Sequence, residues 1–343
     1  MSITMQQLDN IANARLDHYI KGQPLSQSIQ DKPLMKALRA KQTTFPGGKG
    51  ELKFNVKNDY DTTFMGYEYD DNVDYGNPAN IKQCSYSYFE LHGGIKITNT
   101  ELKRDGISVV DTLSGEKVSQ VEGREIEAIS NIFDDKLEDM NEGLERSFNE
   151  MCWRDGTQSP KVFGGILSIL SGTPTTGVVG GIDRAANTWW RNRATLGIVP
   201  SAASQTLTKT LRSEKRQLLR YGGRPSLWLC GSSFLDALDL EAAEKMQYSQ
   251  DGISGGTDLN SGPISLKGLG TFEYDPTLDD LGYAKYCFGI DTRHIMLKVM
   301  SGEDMKKHAP ARPPEKYVLY RAVTWTGTMI CRKLNAHGVY SIA

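Results

Sequence analysis

Apolar residues recur every three or four positions between Ser114-Gly115 and Cys152: Val118, Val121, Ile129, Ile132, Phe133, Leu137, Met140, Leu144, Phe148 and Met151. That spacing places them on one stripe of an α-helix. No proline interrupts the run, and Asp155-Gly156 closes it. A helix of about 36 residues would be about 54 Å long, roughly three times the mean. Its other faces are acidic, with eleven Asp or Glu against four Lys or Arg between Glu116 and Glu150. The segment has no counterpart elsewhere, and its steps drift from a strict heptad. The pattern therefore predicts a spine packed on a sheet rather than a coiled coil.

Elsewhere the period is two. ELKFNVK, after the turn cluster FPGGKG at 45–50, puts Leu52, Phe54 and Val56 on one strand face. In IKQCSYSYFELHGGIKI (81–97), Tyr86 and Tyr88, then Ile95 and Ile97, alternate in the same way. The acidic, turn-rich EYDDNVDYGNPAN between them completes a long two-stranded hairpin with a polar tip. Such a hairpin is marginal alone and needs a surface to rest on, in its own domain or in another chain. KYVLYRAVTWTGTMICRK (316–333) is dense in β-branched and aromatic residues and predicts one long strand. A strand and a helix of matching unusual length point to one elongated domain built from both.

Residues 160–290 read as a separate α/β region. A helix is expected over SQTLTKTLRSEKRQLLRYGG, stopped by Gly222 and Gly223. PSLWLCG reads as a buried strand, and Ser232 or Ser233 as the cap of a helix through FLDALDLEAAEKMQ. Residues 251–270 hold six Gly and predict a loop, and further strands fall at GTFEYD and AKYCFGI. Ahead of all this, the first 45 or so residues do not read as a compact core. Asp31 before Lys32-Pro33 predicts the start of a short helix. Up to Gly50 there are seven Lys or Arg against three Asp, a basic arm that is either a helical lead-in or a reach toward another subunit.

Composition excludes more than it identifies. The 343 residues carry a net charge of −2, so no global basic field draws the molecule onto nucleic acid. The five Cys and five His are scattered, which predicts buried reduced thiols and no metal site. The N-terminus lacks the pattern of a signal peptide and no stretch has the length of a membrane span, so a soluble cytoplasmic product is expected. Gly47-Gly48-Lys49-Gly50 lacks the spacing of a phosphate loop, and Gly268-Leu269-Gly270 the third glycine of a dinucleotide fingerprint. Gly231-Ser232-Ser233-Phe234 is not a nucleophile elbow. No catalytic residue, cofactor or metal is expected. The most distinctive segment is Arg184 to Arg193, where Trp189 and Trp190 lie among Arg184, Arg191 and Arg193. Rather than stacking on bases, the adjacent rings are expected to point opposite ways, one into the core and one into an interface, with the arginines bridging to acidic neighbours. Trp and Arg are the residues expected to anchor subunit contacts, and Tyr86 and Tyr88 join them as interface candidates.

GGIDRAANTWWRNR resembles a segment recurrent in major capsid proteins of tailed bacteriophages, as does the ending from Trp325-Thr326-Gly327 through Cys331 to Gly338-Val339-Tyr340-Ser341-Ile342. The order of elements matches over nearly the whole chain; the specific motifs cover some forty residues. The resemblance implies an α+β fold of the Hong Kong ninety-seven type. Its parts would be an N-terminal arm (1–44), an extended hairpin loop (45–100), a peripheral domain with the spine helix (101–157), an axial domain (158–285) and return strands (286–343) that end at the axial domain. It implies a structural subunit that builds hexamers and pentamers around double-stranded DNA. Portal and scaffolding proteins are its implied partners, with a possible decoration protein and no membrane. The extended loop would lie over a neighbouring subunit, the Gly-rich loop would point at the capsomer centre, and the arm's Arg15, Lys21, Lys32, Lys36, Arg39 and Lys41 would screen DNA phosphates without reading bases. A separate scaffolding protein is expected, and no motif marks Lys49, Lys53, Lys57 or Lys82 for cross-linking. Two other classes stay open: a nanocompartment shell of the same fold, which would enclose an enzyme, and a cytoplasmic α/β enzyme.

Overall fold

A computed structural model of the chain describes residues 30–48, 50–58, 64–72, 80–98, 140–247, 264–266, 268–308 and 318–343. Arg15, Lys21, the first part of the expected spine helix and the Gly-rich loop from 251 to 263 lie outside these described residues.

Two sheets share one core. In the first, β14 (Val318–Cys331) is central. Its N-terminal part pairs antiparallel with β4 (Phe89–Thr98), from Val318↔Thr98 to Gly327↔Phe89. Its C-terminal part pairs with β12 (Ile295–Met300), which also takes the short parallel strand β1 (Thr43–Phe45). The two-residue strand β13 (Lys306–Lys307) adds to β14 at Val323 and Thr324. The helix expected up to Cys152 is present from 140 to 153, here named α2. It lies on this sheet through an aromatic cluster. Phe148 meets Trp325 edge-on at 4.9 Å between ring centres, and Phe163 lies 5.4 Å from Trp325. Gly93, in the middle of β4, is where the helix comes closest, and a β-carbon there would overlap the Leu144 side chain. That explains a glycine where strand propensity disfavours one. Gly93→Val should lower unfolding free energy by about 1–3 kcal/mol, as overpacking does; an unchanged urea midpoint would show that the helix does not press on the strand.

Beside a small ribbon of β5 (Val178–Val179) and β6 (Ile182–Asp183), the second sheet has six strands, in the order β7 (Arg193–Ile198), β15 (Gly338–Ile342), β11 (Tyr286–Ile290), β8 (Leu227–Cys230), β10 (Gly270–Tyr274) and β9 (Ile264–Leu266). Alternation through this sheet separates two cores. Leu227, Leu229, Phe288, Ile290 and Val339 face the large core shared with α2 and the first sheet. Trp228, Cys230, Cys287 and Tyr340 face the other side, beneath two longer helices. A strand buried on both faces has no polar position, which is why the sequence there reads LWLC.

Helices α4 (Thr206–Arg220) and α5 (Ser232–Gln247) follow the short α3 (Ile166–Ile169) and cover that second face with Leu207, Leu211, Phe234 and Leu238. Gly222, at φ +74°, takes the left-handed turn after α4, and Gly223 N–H returns to the Leu218 carbonyl at 3.0 Å. The start of α5 differs from expectation. Neither serine is its cap; the Ser232 amide donates to Asp279 Oδ1 at 3.0 Å, from the short helix α6 (Pro276–Asp280). The start of α4 is likewise held from a distance. Glu241 of α5, 2% exposed, accepts from the Leu207 and Thr208 amides at 2.8 and 2.9 Å and from the Thr208 hydroxyl at 2.9 Å. A carboxylate on a helix N-terminus meets unpaired N–H groups and the positive end of the dipole together. Glu241→Ala leaves those donors buried and should cost about 2–3 kcal/mol; a loss below about 0.5 kcal/mol in urea titration, the level of an ordinary surface change, would reject the role.

Two expectations are corrected. The first concerns the arm, whose residues 32–45 are packed rather than loose. Leu34 and Leu38 of α1 (Pro33–Ala40) are fully buried against α2, and Asn149 Oδ1 caps α1 by accepting from Met35 N–H at 3.2 Å. The second concerns the return to the first sheet, which begins after Ile290 and not at 286. Strand β11 pairs with β8 and β15 and so belongs wholly to the six-stranded sheet.

Candidate subunit interface

The hairpin rises from this body. β2 (Glu51–Lys57) and β3 (Ile81–Ser87) pair from Glu51↔Ser87 to Lys57↔Ile81. The two-stranded ladder is supported by the body. Phe54 stacks on Tyr86 with ring centres 5.9 Å apart and planes 6° from parallel. The Tyr86 hydroxyl donates to the Cys331 carbonyl at 3.3 Å, and Ser85 N–H donates to the Gly180 carbonyl at 3.0 Å. Beyond the ladder the surface changes character. Phe64 and Tyr69 are 105% and 109% exposed, and Met65 and Tyr67 between them are open as well. Four large apolar side chains within six residues, uncovered by the chain itself, mark an interaction surface. Glu68, Asp70 and Asp71 are exposed beside them.

The two tryptophans of the Trp/Arg segment part as expected, one into the core and one to the surface, while most of the arginines' bonds stay within the chain. Trp190 is 1% exposed, and its indole N–H donates to the Val179 carbonyl at 3.0 Å. Arg184 is 2% exposed, its guanidinium donates to the Ile169 carbonyl, and burial lowers its pKa. Neither has a face left for another chain. Arg191 donates back to the carbonyls of Arg184 and Ala185 at 2.8 and 3.0 Å. Arg193 clasps Glu214 through two bonds of 2.9 Å, which raises its pKa. These arginines staple their own loop to the body. Trp189 keeps a partly open face, edge-on to Trp190 at 5.6 Å. Tyr86 is engaged under the hairpin, where burial raises its pKa, and Tyr88 is half-buried 5.6 Å from Phe45.

Three of the four described cations expected to face DNA are committed within the chain. Lys32 is buried and bonds Glu142 at 2.7 Å, with Glu145 at 3.8 Å. Arg39 pairs with Glu145 at 3.7 Å and lies over the Phe148 ring. Lys41 donates to the Thr292 hydroxyl at 2.8 Å; Lys36 is exposed. The acidic face of the helix thus meets the basic arm, so part of the charge expected to meet phosphate meets carboxylate instead. Among the described residues no group of His, Cys, Asp or Glu is arranged to hold a metal ion, and no helix is long and apolar enough to cross a membrane.

Sequence reasoning missed the apolar half of the hairpin tip. Its signal was present, since Met65, Tyr67 and Tyr69 recur at every second position and so share one face of an extended segment.

Comparison with known proteins gives the fold. No protein-family model matches the sequence, and no curated protein matches it. Solved structures do match, over nearly the full length. The cyanophage A-1(L) capsid subunit aligns with a TM-score of 0.59 at 13% identity, covering 92% of this chain and 94% of that one. A chain of Gordonia phage Cozz aligns at 0.55 and 12%, covering 93% and 88%. The encapsulin of a holo-SrpI complex from Synechococcus elongatus aligns at 0.52 and 10%, covering 99% and 96%. The architecture is therefore the α+β Hong Kong ninety-seven fold, shared by phage capsids and an encapsulin shell.

Proposed function

We propose that the chain is a major capsid protein, the subunit of an icosahedral phage head enclosing double-stranded DNA, and that it has no enzymatic activity. The observation that carries this reading is the hairpin tip on this fold, four open apolar side chains beyond the ladder that anchors the arm. An isolated chain gains nothing by presenting them to water, whereas a subunit covered by its neighbour buries them. Repeated around a ring, one such head-to-tail contact closes hexamers and pentamers. Scaffolding and portal proteins, a decoration protein and packaged DNA would be its further partners, with assembly in the host cytoplasm. Expression in bacteria, alone and with a candidate scaffolding protein, should give closed shells or tubes of hexamers by negative-stain electron microscopy. Only small discrete oligomers under both conditions would reject the reading.

The likeness to an encapsulin supports a second reading, a nanocompartment shell. Nucleic acid inside purified native particles favours the virus, and a protein cargo the compartment.

A further inference from the structure

A cavity of about 640 Å³ lies where the base of the hairpin, the Trp loop and the turns after β11 and β14 meet. That is within the range of cavities that hold a small ligand or a few side chains. Trp189 and Tyr221 supply aromatic surface; Lys57, Arg293, Arg332 and Lys333 supply charge. These cations come from three distant stretches, so no run in the sequence announces them. Arg293 is paired with Asp291. Lys333 donates to the Tyr221 carbonyl, which carries no charge to balance it, and the Arg332 guanidinium lies 6.0 Å over the Phe54 ring. Among the described residues no carboxylate lies within ion-pair distance of Arg332 or Lys333. Arg332 and Lys333 thus bring a formal charge of +2 to the cavity without a facing carboxylate. The field is felt locally: burial pushes the His294 imidazole down, and against Asp291 the cations Lys333, Arg293 and Arg332 push it further.

The chain carries a segment of matching chemistry. Residues 64–72 read FMGYEYDDN, with three carboxylates and no cation, a formal charge of −3. Its aromatic rings and carboxylates are exposed, so in the single chain the segment does not fill the cavity. We propose that this cavity receives the acidic, aromatic hairpin tip of a second copy of the chain, with Asp70 and Asp71 toward Arg332 and Lys333 and a tyrosine ring against Trp189. This rests on the capsid reading and names the surface on which the tip of that reading lands. Charge complementarity then sets which neighbour is accepted and in what register.

Charge reversal in both directions tests it. Asp70→Lys with Asp71→Lys, or Arg332→Glu with Lys333→Glu, should each lower assembly at least about tenfold by sedimentation, and the four changes together should restore it. If the wild-type chain assembles and either double reversal assembles normally, the pocket is not the landing site, although the capsid reading survives. If the wild-type chain never assembles, the capsid reading itself fails. A peptide spanning 64–74 provides a test independent of variant folding. Added to the wild-type chain, it should change tryptophan fluorescence saturably, an effect lost in the Trp189→Phe chain and in the peptide with both aspartates reversed. No binding overturns the proposal, and so does binding of a DNA duplex in its place, which would make the cavity a phosphate site.

Discussion

A chain in which Asn-Gly replaces residues 59–79 should fold normally and close no shells. The ladder that supports the hairpin ends at Lys57↔Ile81, and Asn58 N–H already reaches the Asn80 carbonyl at 2.8 Å. A two-residue turn of the type favoured by Asn-Gly can join those ends. The body should therefore melt within about 3 °C of the parent, as for changes away from the core. Assembly should respond very differently. Burying a large apolar side chain contributes about 1.5–3 kcal/mol, so four of them amount to about 6 kcal/mol or more per subunit before the costs of association. Removing that from every contact of a ring is an all-or-none loss. Particles of normal size and yield, seen by electron microscopy, would show that the tip plays no part in closing the shell.

The elements that sequence made legible are those whose pattern is local. The continuous apolar run LWLC meant a buried strand, and it is one, covered on both faces. The 316–333 stretch meant one long strand, observed over Val318–Cys331. Gly222 marked the end of α4 because a left-handed residue is needed there. Each rests on a periodicity or a backbone requirement that a short window contains.

What sequence did not disclose depends on contacts between distant residues. Adjacent Trp and Arg suggest that the rings part and the arginines meet carboxylates, but not which ring is buried or which carboxylate is met. Only the Val179 carbonyl on Trp190 and the Glu214 carboxylate on Arg193 decide both. The caps of α4 and α5 come from Glu241 and Asp279, 34 and 47 residues from the amides they meet, and no local motif encodes that. The point where the chain leaves the six-stranded sheet was also misplaced, because β11 and β12 are equally apolar and only strand pairing assigns them to different sheets.

That crossing point should make the protein acid-labile. The chain passes between the two sheets twice, at Asp291 after β11 and at His337 before β15, and the two crossings are joined by the Asp291 N–H donating to His337 Nδ1 at 3.1 Å. Both residues are fully buried. Burial lowers His337 to about 3 although Asp291 opposes it, and the ring is neutral at pH 7. Protonation would occupy the nitrogen that accepts the bond and leave a charge inside the core. Because the folded value lies below the unfolded one near 6.5, this contribution is complete above pH 6.5 and is lost as pH falls toward 3; the shift corresponds to about 4–5 kcal/mol. Asp291 follows at lower pH. Burial works against its charge, but Arg293 and the Arg224 amide outweigh that and hold it at about 2, so its share is lost only between about pH 4 and 2. Urea unfolding should therefore show stability falling steadily from about pH 6.5 to about pH 4. His337→Gln should be less stable at pH 7 but should flatten that slope, since it removes the proton uptake on unfolding. If the variant keeps the parent's slope, the acid sensitivity arises elsewhere and the paired crossings are not the joint that protons open.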